Sequence, residues 1–271
     1  MYEEYWGFLE KPFENSPDPR FLYCSTQHEE ALMRMMYTVR ERKGAALLTG
    51  EYGSGKTLLS RVLIGKFSEE FSRYSISLVV NPAISPLDLL KEIVYQLGCS
   101  VSNSDSKVDI LHRLNEVLYR NLLEERHSVI IIDEAQAIED EASFEEMRLL
   151  LNFQSNERFL LTLLLLGQPE LKEKVNRIRQ LEQRFSLRYH LQNLSFEETA
   201  EYILHRCRVA QREDRIFTDG ACRLIYEWTE GIPRKINNIC DLGLLIGFGK
   251  KANRIDESIV EAVIEDIRQQ S

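Results

Sequence analysis

A lysine and a threonine end a glycine-rich segment with the sequence Gly50-Glu-Tyr-Gly-Ser-Gly-Lys56-Thr57. The spacing matches Gly-x-x-x-x-Gly-Lys-[Ser/Thr], in which glycines let backbone N–H groups converge on phosphate oxygens. In that arrangement Lys56 would reach the β and γ phosphates of ATP, and Thr57 would place its hydroxyl on Mg²⁺. A glycine-rich turn that matches by chance is the alternative. The apolar strand-like run before the motif and the helical pattern after it favour a phosphate-binding loop.

Two adjacent carboxylates, Asp133 and Glu134, end an apolar run rich in β-branched residues. In a parallel sheet, the end of such a strand lies beside a phosphate-binding loop. Asp133 can then hold the water shell of Mg²⁺, while Glu134 orients and polarises an attacking water. The alternative is two solvated acids that open a loop. The presence of the glycine-rich motif in the same chain favours the hydrolytic interpretation.

Four further polar side chains could act on the same phosphates, and the chemistry leaves each of them open. Gln168 ends the next apolar run and could bond the γ-phosphate or the water, or serve only as a turn residue. Arg179 and Arg184 could each stabilise the phosphate charge of a neighbouring subunit, or form surface salt bridges. Arg234 begins a helix and could swing onto the phosphates, or remain a solvated first-turn residue.

The elements that would position these groups alternate along the chain. Apolar β-rich runs predict strands at 44–50, 75–81, 128–134, 159–167 and 187–191. Amphipathic patterns predict helices at 28–41, 56–69, 86–97, 107–125 and 141–153. Such alternation is typical of a parallel sheet covered by helices on both faces. Unbroken β-branched pairs and triplets, at 79–80 and 130–132, predict strands that are buried on both sides.

The pattern changes after about residue 193, where strand-like runs stop and helix starts follow one another. Ser195, Thr218, Pro233 and Asp256 each stand at a predicted helix start. We therefore predict an α/β nucleotide-binding domain with an N-terminal extension at 1–193 and an all-helical lid domain at 194–271. No long linker rich in Pro, Gly or Ser separates them, so a hinge between packed domains is expected.

Composition restricts the setting in which these motifs act. Five scattered cysteines without a Cys-x-x-Cys pair predict neither a disulfide framework nor a zinc site, and fit a reducing cytoplasm. The acidic, aromatic N-terminus is unlike a secretory signal. The most apolar run, 159–166, is about half the length that a membrane-spanning helix needs. No transmembrane segment is therefore predicted, and association with the inner membrane would occur through partners.

The charge distribution bears on nucleic-acid binding. The net charge of −9 would repel phosphate backbones, so binding would need a local basic patch. The stretch 172–188 carries six basic residues against two acidic ones. This stretch keeps a DNA-binding alternative open, although the overall charge makes nucleic acid an unexpected partner.

Taken in order, these positions resemble AAA+ ATPases. Walker A corresponds to 50–57 and Walker B to 130–134, with sensor 1 at Gln168, an arginine-finger candidate at Arg184 and sensor 2 at Arg234. Across nearly the whole chain the resemblance is closer to the general secretion pathway protein A (ExeA-like) branch. The marks of that branch are Tyr5-Trp-Gly-Phe8, Lys11-Pro-Phe13, Pro17-Asp-Pro-Arg-Phe-Leu-Tyr23, Asp133-Glu-Ala-Gln136, Gly167-Gln-Pro-Glu-Leu171, Leu181-Glu-Gln-Arg-Phe185 and Gly231-Ile-Pro-Arg234.

The resemblance implies a five-stranded parallel sheet in the order 5-1-4-3-2, a helical lid and a nucleotide base held near residues 13–23. Together with the motifs, it gives Thr57 and Asp133 as the residues that hold Mg²⁺. The predicted catalytic residues are Lys56, Glu134, Gln168, Arg179, Arg184 and Arg234. The predicted nucleotide-binding residues are Gly50, Glu51, Tyr52, Gly53, Ser54, Gly55, Lys56, Thr57, Leu58 and Arg234.

Members of this branch resemble cytoplasmic ATPases that serve type II secretion, pilus biogenesis or exopolysaccharide and PEP-CTERM/exosortase loci. The leading hypothesis is a homo-oligomeric ATPase, as a hexameric ring or an ATP-dependent assembly, that powers or regulates such an envelope system through secretion or polysaccharide-export proteins. The membrane helix and peptidoglycan-binding domain of secretion members are missing, which predicts a short soluble member or a truncated chain. The alternatives are a DNA-binding ATPase resembling transposition regulators and a nucleotide switch with negligible turnover. A helicase is disfavoured because an Arg-rich His-x-x-Gly-Arg segment is missing.

Overall fold

The computed structural model describes residues 1–70, 73–155 and 158–270. In chain order, the strands are β1 (Ala45–Gly50), β2 (Tyr74–Val79), β3 (His127–Ile132), β4 (Leu161–Gly167) and β5 (Phe185–Leu191). The helices are α1 (Tyr2–Trp6), α2 (Thr26–Arg40), α3 (Lys56–Ser68), α4 (Pro86–Gln96), α5 (Lys107–Leu123), α6 (Glu141–Leu150), α7 (Glu170–Arg177), α8 (Arg179–Glu182), α9 (Phe196–Val209), α10 (Asp219–Thr229), α11 (Pro233–Gly249) and α12 (Glu257–Gln270).

The chain forms two compact units, and each one is assembled from separate stretches of sequence. The first, here called the sheet unit, comprises 27–50 and 59–191. The second, here called the helical unit, comprises 1–26, 51–58 and the chain from 192 onward. The helical unit thus combines the N-terminal residues and the glycine-rich segment with the C-terminal helices. The domain division at 193/194 that the sequence suggests stays a prediction.

The sheet has five parallel strands in the order β2-β3-β4-β1-β5. The implied order 5-1-4-3-2 is therefore confirmed. β4 lies between β1 and β3, and pairs Leu163 with both Ala45 and Ile130. Because all the strands run the same way, the carboxyl ends of β1, β3 and β4 meet at one edge. The predicted site residue Gly50 ends β1, and Asp133 and Gln168 directly follow β3 and β4 at this edge.

Burial follows the position of each strand in the sheet. Every residue of β1, β3 and β4 is buried, as expected for central strands covered on both faces. β2 and β5 are edge strands, and their residues alternate or show only buried ends. The prediction that Val80 is buried with Val79 is wrong. β2 ends at Val79, which is buried, and the side chain of Val80 beyond it is 58% exposed.

The most apolar run of the sequence forms β4 and so belongs to the buried centre of the sheet. Helices cover the sheet with buried apolar residues, which include Leu89 and Ile93 of α4 and Leu114 of α5. Along the described chain, we find no helix with both the length and the apolar character that crossing a membrane requires.

Polar residues fix the helix starts where the sequence places them. Ser195 accepts a hydrogen bond from the N–H of Glu198, while the Glu198 carboxylate accepts one from the N–H of Ser195. This reciprocal pair satisfies two donors that the first turn of α9 would otherwise leave without partners. Thr218 caps α10 by accepting a hydrogen bond from the N–H of Ala221, and Pro233 stands in the first turn of α11. These three predicted starts are therefore seen in the structure.

The N-terminal residues are part of the core of the helical unit. Trp6 donates its indole N–H to the carbonyl of Leu244, at 2.9 Å, and is buried. Arg206 of α9 donates to the carbonyls of Pro12 and Glu14, at 2.5 and 2.8 Å. Its guanidinium also stacks over the ring of Phe21, 4.4 Å from the centroid. A single buried arginine therefore fastens the irregular N-terminal segment to the C-terminal helices.

Three cysteines, Cys207, Cys222 and Cys240, are buried in the same core. Burial raises the pKa of the Cys207 thiol to about 12 and that of Cys222 to about 11. At neutral pH these thiols are therefore protonated. They act as small apolar side chains, because the thiolate is the reactive form.

Candidate functional site

The glycine-rich segment wraps its own lysine. Gly50 is buried as the last residue of β1, and Lys56 is the first residue of α3. Gly53 and Gly55 have φ values of 84° and 102°, in the region that favours glycine. The Lys56 ammonium donates to the carbonyl of Glu51 at 2.9 Å, and its side chain is almost wholly buried. The segment is therefore a compact loop closed around a cation.

The helix that follows completes the phosphate-binding character of this loop. The first N–H groups of an α-helix have no partner within the helix, and they carry the positive end of the helix dipole. α3 begins inside the loop, so its N–H groups and the Lys56 ammonium belong to the same few residues. Ser54 is buried here, while Thr57 and Leu58 are half-buried and Glu51 and Tyr52 are exposed. Such a combination suits the phosphates of a nucleotide.

Arg234 contacts this loop within the helical unit. Its backbone N–H donates to the carbonyl of Gly53 at 3.3 Å, and its guanidinium lies over the ring of Tyr52, 4.5 Å from the centroid. Its Nη1 also donates to the Tyr52 hydroxyl. A Cβ at Gly53 would come within 2.6 Å of the Cβ of Arg234, so glycine is required there. The structure thus brings together two predicted nucleotide-binding positions that are 181 residues apart in sequence.

The predicted base-binding segment is only partly available for such a role. Phe13 is 2% exposed and packs edge-on against Phe217, with ring centroids 5.8 Å apart. Tyr23 donates its hydroxyl to Glu201 at 2.6 Å and is half-buried. Phe13 is thus a core residue of the helical unit, and any contact with a nucleotide base falls to its neighbours.

Asp133 and Glu134 follow β3 in the sheet unit, where strand pairing ends. Asp133 is 2% exposed, and its N–H donates to the carbonyl of Val79 at 2.9 Å. Its Oδ1 accepts the N–H of Glu134, also at 2.9 Å. Glu134 has a φ of 51°, a left-handed conformation that costs a residue with a Cβ about 1–3 kcal/mol. Such strain in a carboxylate at a strand end is typical of functional sites.

Gln136 links this carboxylate to the end of the neighbouring strand. Its Nε2 donates to Glu134 Oε2 at 2.6 Å, and its Oε1 accepts the N–H of Gln168 at 3.0 Å. A Cβ at Gly167 would lie 2.6 Å from that Oε1, so the close approach needs glycine. Gln136 thus joins Glu134 to Gln168, the two polar residues that the sequence singles out at these strand ends.

Residue types and spacing do not predict this role of Gln136. The segment Asp133-Glu-Ala-Gln136 marks the family resemblance, and Gln136 is the last residue of that mark. A short 3₁₀ turn, Ala135–Ala137, brings the amide back towards Glu134. A turn of this kind has no periodicity, so the bridge could not be derived from spacing alone.

The two arginine-finger candidates, Arg179 and Arg184, come shortly before β5 in the sequence, away from the carboxyl ends of β3 and β4. Arg184 is half-buried and donates to Oδ1 of Asn152 at 3.0 Å. Arg179 is exposed at the first residue of α8. The contacts described for Arg184 involve Asn152 rather than Asp133 or Glu134. Arg179 and Arg184 thus remain candidates for contact with another subunit.

The basic stretch 172–188 uses part of its charge within the fold. Lys174 donates to the carbonyls of Gln136 and Ile138, both at 2.7 Å. Arg188 forms an ion pair with Glu182 at 3.1 Å. Lys174 therefore holds the turn that carries Gln136, and the stretch offers less free charge than its sequence indicates.

Comparison with known proteins gives these features a family. The model of the AAA domain family matches residues 39–175, just over half of the chain and the region that includes the loop, Asp133, Glu134 and Gln168. The chain belongs to the AAA family. General secretion pathway protein A of Aeromonas hydrophila is 35% identical over 273 residues, which span 99% of this chain and 49% of that protein. This chain therefore spans about half the length of its curated relative.

Solved structures of AAA proteins share the fold at low sequence identity. The Aeropyrum pernix ORC2 protein matches 94% of this chain and 71% of its own, with 16% identity and a TM-score of 0.70. Cdc6p from Pyrobaculum aerophilum matches 90% of this chain and 67% of its own, with 14% identity and a TM-score of 0.69. A mutant form of RuvB from Thermotoga maritima has 18% identity over 88% of this chain and 68% of its own, with a TM-score of 0.59.

These comparisons confirm the predicted family and fold class. The parallel five-stranded sheet flanked by helices is an AAA+ P-loop fold. The resemblance to the general secretion pathway protein A branch, stated from short segments spread over the chain, is likewise confirmed by a match along nearly its whole length.

Proposed function

We propose that this protein binds ATP with Mg²⁺ and hydrolyses the ATP. The observation that carries the proposal is the loop at 51–56, closed around the buried Lys56 at the end of a central strand, in a chain of the AAA family. The amino end of α3 and the Lys56 ammonium together supply the directed positive charge that a triphosphate needs.

Each predicted residue has a place in this chemistry. Lys56 would contact the β and γ phosphates, and the Thr57 hydroxyl and the Asp133 carboxylate would hold Mg²⁺. When bound, Mg²⁺ neutralises charge on the phosphate oxygens. Glu134 orients a water for attack on the γ-phosphorus. A P–O bond forms to that water as the bond to the β-phosphate oxygen breaks, so ADP and inorganic phosphate are released.

Three other positions complete the proposal. Gln168 bonds the γ-phosphate or the attacking water, and Arg234 stabilises the phosphates from the helical unit. Arg184, or Arg179 in its place, reaches the γ-phosphate of a neighbouring subunit and stabilises the spreading charge. Hydrolysis then requires a homo-oligomer, either a hexameric ring or an assembly that forms with ATP.

For the cellular process, we propose that this ATPase drives or regulates assembly of an envelope secretion, pilus or exopolysaccharide system. Similarity to general secretion pathway protein A over 99% of the chain supports this assignment. In that setting the protein acts on the cytoplasmic side and reaches the inner membrane through protein partners. The intact carboxylate at Glu134 favours turnover over a nucleotide switch.

The DNA-binding alternative rests on the basic stretch 172–188. The six basic and two acidic residues of this stretch belong to a chain whose net charge is −9. Lys174 and Arg188 also already have partners within the chain. Since affinity for DNA depends on how many cations neutralise phosphates, this stretch gives little support for tight binding. A transposition-type regulator therefore remains the second hypothesis.

Steady-state phosphate release tests both hypotheses together. We expect Mg²⁺-dependent release from ATP that changes less than about twofold when duplex DNA is added at physiological salt, because few cations are free for counterion release. A several-fold stimulation by duplex DNA would favour the transposition-type alternative. Absence of release at all protein concentrations would contradict the ATPase proposal itself.

Gln136 provides a test of how Glu134 is positioned. In Gln136→Ala, the Glu134 carboxylate loses a donor at 2.6 Å and the N–H of Gln168 loses its acceptor. We expect the kcat for ATP to fall about tenfold, or about 1.4 kcal/mol, the scale of one hydrogen bond to a charged group. The KM should change little, because neither bond holds nucleotide.

The matched control is Gln269→Ala, which removes an exposed glutamine from α12. We expect this control to keep the wild-type kcat. Gln136→Leu, which restores the volume without the amide, should behave like Gln136→Ala if hydrogen bonding is the cause. An unchanged or increased kcat in Gln136→Ala would show that the bridge does not position Glu134 for hydrolysis.

A further inference from the structure

A cavity of about 430 Å³ lies at the edge of the sheet where the strands begin. It is bordered by the C-terminal end of α2 and by the first residues of β2 and β3. Asp133 and Glu134 lie past the other end of β3, about 20 Å away at about 3.3 Å per residue. The lining residues that matter here are Arg40, Arg42, Arg73, Glu125, His127 and Arg158.

Positive charge is concentrated in this cavity. Arg40 and Arg73 share one carboxylate, Glu70, at 2.9 and 3.5 Å. Among the residues that the structure describes, no carboxylate forms an ion pair with Arg42 or Arg158. With the carboxylates of Glu70 and Glu125 counted against the four arginines, a positive excess of two remains here, in a chain whose net charge is −9. A local positive potential of this kind attracts anions.

Arg42 carries two costs, one in its backbone and one in its charge. Its φ is 50°, in the left-handed region, where a residue with a Cβ loses about 1–3 kcal/mol. Burial and the nearby charge of Arg158 lower the pKa of its guanidinium. Only the second effect acts on the cation, and a bound anion would offset it.

His127 is a second, independent observation at this cavity, because one of its ring nitrogens has no hydrogen-bond partner. Its side chain is 3% exposed, and its Nε2 lies 2.8 Å from the hydroxyl oxygen of Thr162. Its Nδ1 is buried and has no hydrogen-bond partner. Burial and the charge of Arg42 lower the pKa of the ring to about 3, so it is neutral at pH 7. If Thr162 donates to Nε2, then Nδ1 carries the proton and is a buried donor with no acceptor among the described residues.

We propose that this cavity binds an anion with at least two phosphate groups. Guanidinium groups form paired hydrogen bonds with phosphate oxygens, and Arg42 and Arg158 offer two such groups. The volume falls within the range of about 300–1,000 Å³ that is usual for small-molecule sites. The phosphates could belong to a soluble small molecule or to a lipid head group. The concave form of the site favours the soluble molecule.

Calorimetric titration with inorganic pyrophosphate tests the proposal. Lys56→Ala is the background, since the loop at 51–56 is a competing phosphate site. We expect pyrophosphate to bind this protein, and the further change Arg42→Gln or Arg158→Gln to weaken binding at least tenfold. Arg158 is exposed, so its replacement leaves the core intact. The matched control, Arg177→Gln, removes an exposed arginine from α7 and should leave binding unchanged.

Sedimentation with vesicles separates the two sources of phosphate. Vesicles of phosphatidylcholine with cardiolipin, whose head group has two phosphates, are compared with pure phosphatidylcholine. Pyrophosphate binding that needs Arg42 and Arg158, without vesicle binding, is the expected result. Sedimentation with cardiolipin that is lost in both arginine variants supports the head-group form of the site. The proposal is overturned if both arms fail. In that case pyrophosphate does not bind, or binds the arginine variants as tightly as their background, and no vesicle sediments the protein.

Discussion

Replacing Lys56 with alanine should weaken the affinity for ATP·Mg²⁺ at least about 100-fold, equivalent to about 2.7 kcal/mol. The wild-type ammonium lies inside a loop that a nucleotide phosphate would enter, and it donates to Glu51 at 2.9 Å. Each hydrogen bond from a charged donor contributes about 1.5–3 kcal/mol, and Lys56 can make at least two with the β and γ phosphates. Titration with a fluorescent ATP analogue measures the loss.

The control for this variant lies on the same helix. Lys66→Ala removes an exposed lysine from the last turn of α3, and it should bind nucleotide as the wild type does. Because Lys56 is buried, its loss could also destabilise the loop, so thermal unfolding without nucleotide is measured in both variants. Wild-type affinity in a folded Lys56→Ala protein would contradict the assignment of the phosphate loop.

The sheet and its motifs could be predicted because they depend on short-range patterns. β3 is an unbroken apolar run, which is what a central strand buried on both faces requires. The starts of α9, α10 and α11 follow from Ser195, Thr218 and Pro233, whose effects act within one helical turn. Strand order was not encoded locally, and it came from the family resemblance.

Other features depend on contacts between distant parts of the chain. Arg206 binds the carbonyls of Pro12 and Glu14, and no pattern in a window of residues could reveal this pair. The contact of Arg234 with Gly53 is of the same kind. Val80 was misplaced because β-branched residues also occur just past the end of an edge strand, where one side faces solvent. Sequence patterns therefore predict candidate site residues, but they do not reveal the contacts that hold those residues in place.

Glu134→Gln should retain ATP binding while turnover falls at least about 100-fold, within the range usual for loss of a general base. The amide keeps the size of the carboxylate, and its oxygen can still accept from Gln136 Nε2. Only the negative charge that polarises water is lost. ATP-bound protein should then accumulate as an oligomer, which light scattering detects. Turnover close to that of the wild type would remove Glu134 from the mechanism.

Arg184→Ala tests whether the site is completed by a second subunit. We expect near-normal nucleotide binding and a loss of about 10³ in rate, the low end for an arginine finger. Asn152→Ala is the control, because it breaks the 3.0 Å bond to Arg184 within the chain but keeps the guanidinium. If Arg184 only braces its own subunit, this control should lose activity to a similar extent.

Mixing the two inactive proteins decides the mechanism. An Arg184→Ala subunit keeps Glu134 beside its own ATP, and a Glu134→Gln neighbour supplies the missing arginine. Partial recovery of phosphate release on mixing is expected, and only at concentrations where oligomers form. Arg179→Ala replaces Arg184→Ala in the same experiment if Arg179 is the finger, because it is exposed on the neighbouring helix. Full activity of both arginine variants, or an active monomer at every concentration with ATP, would show that the site is not shared.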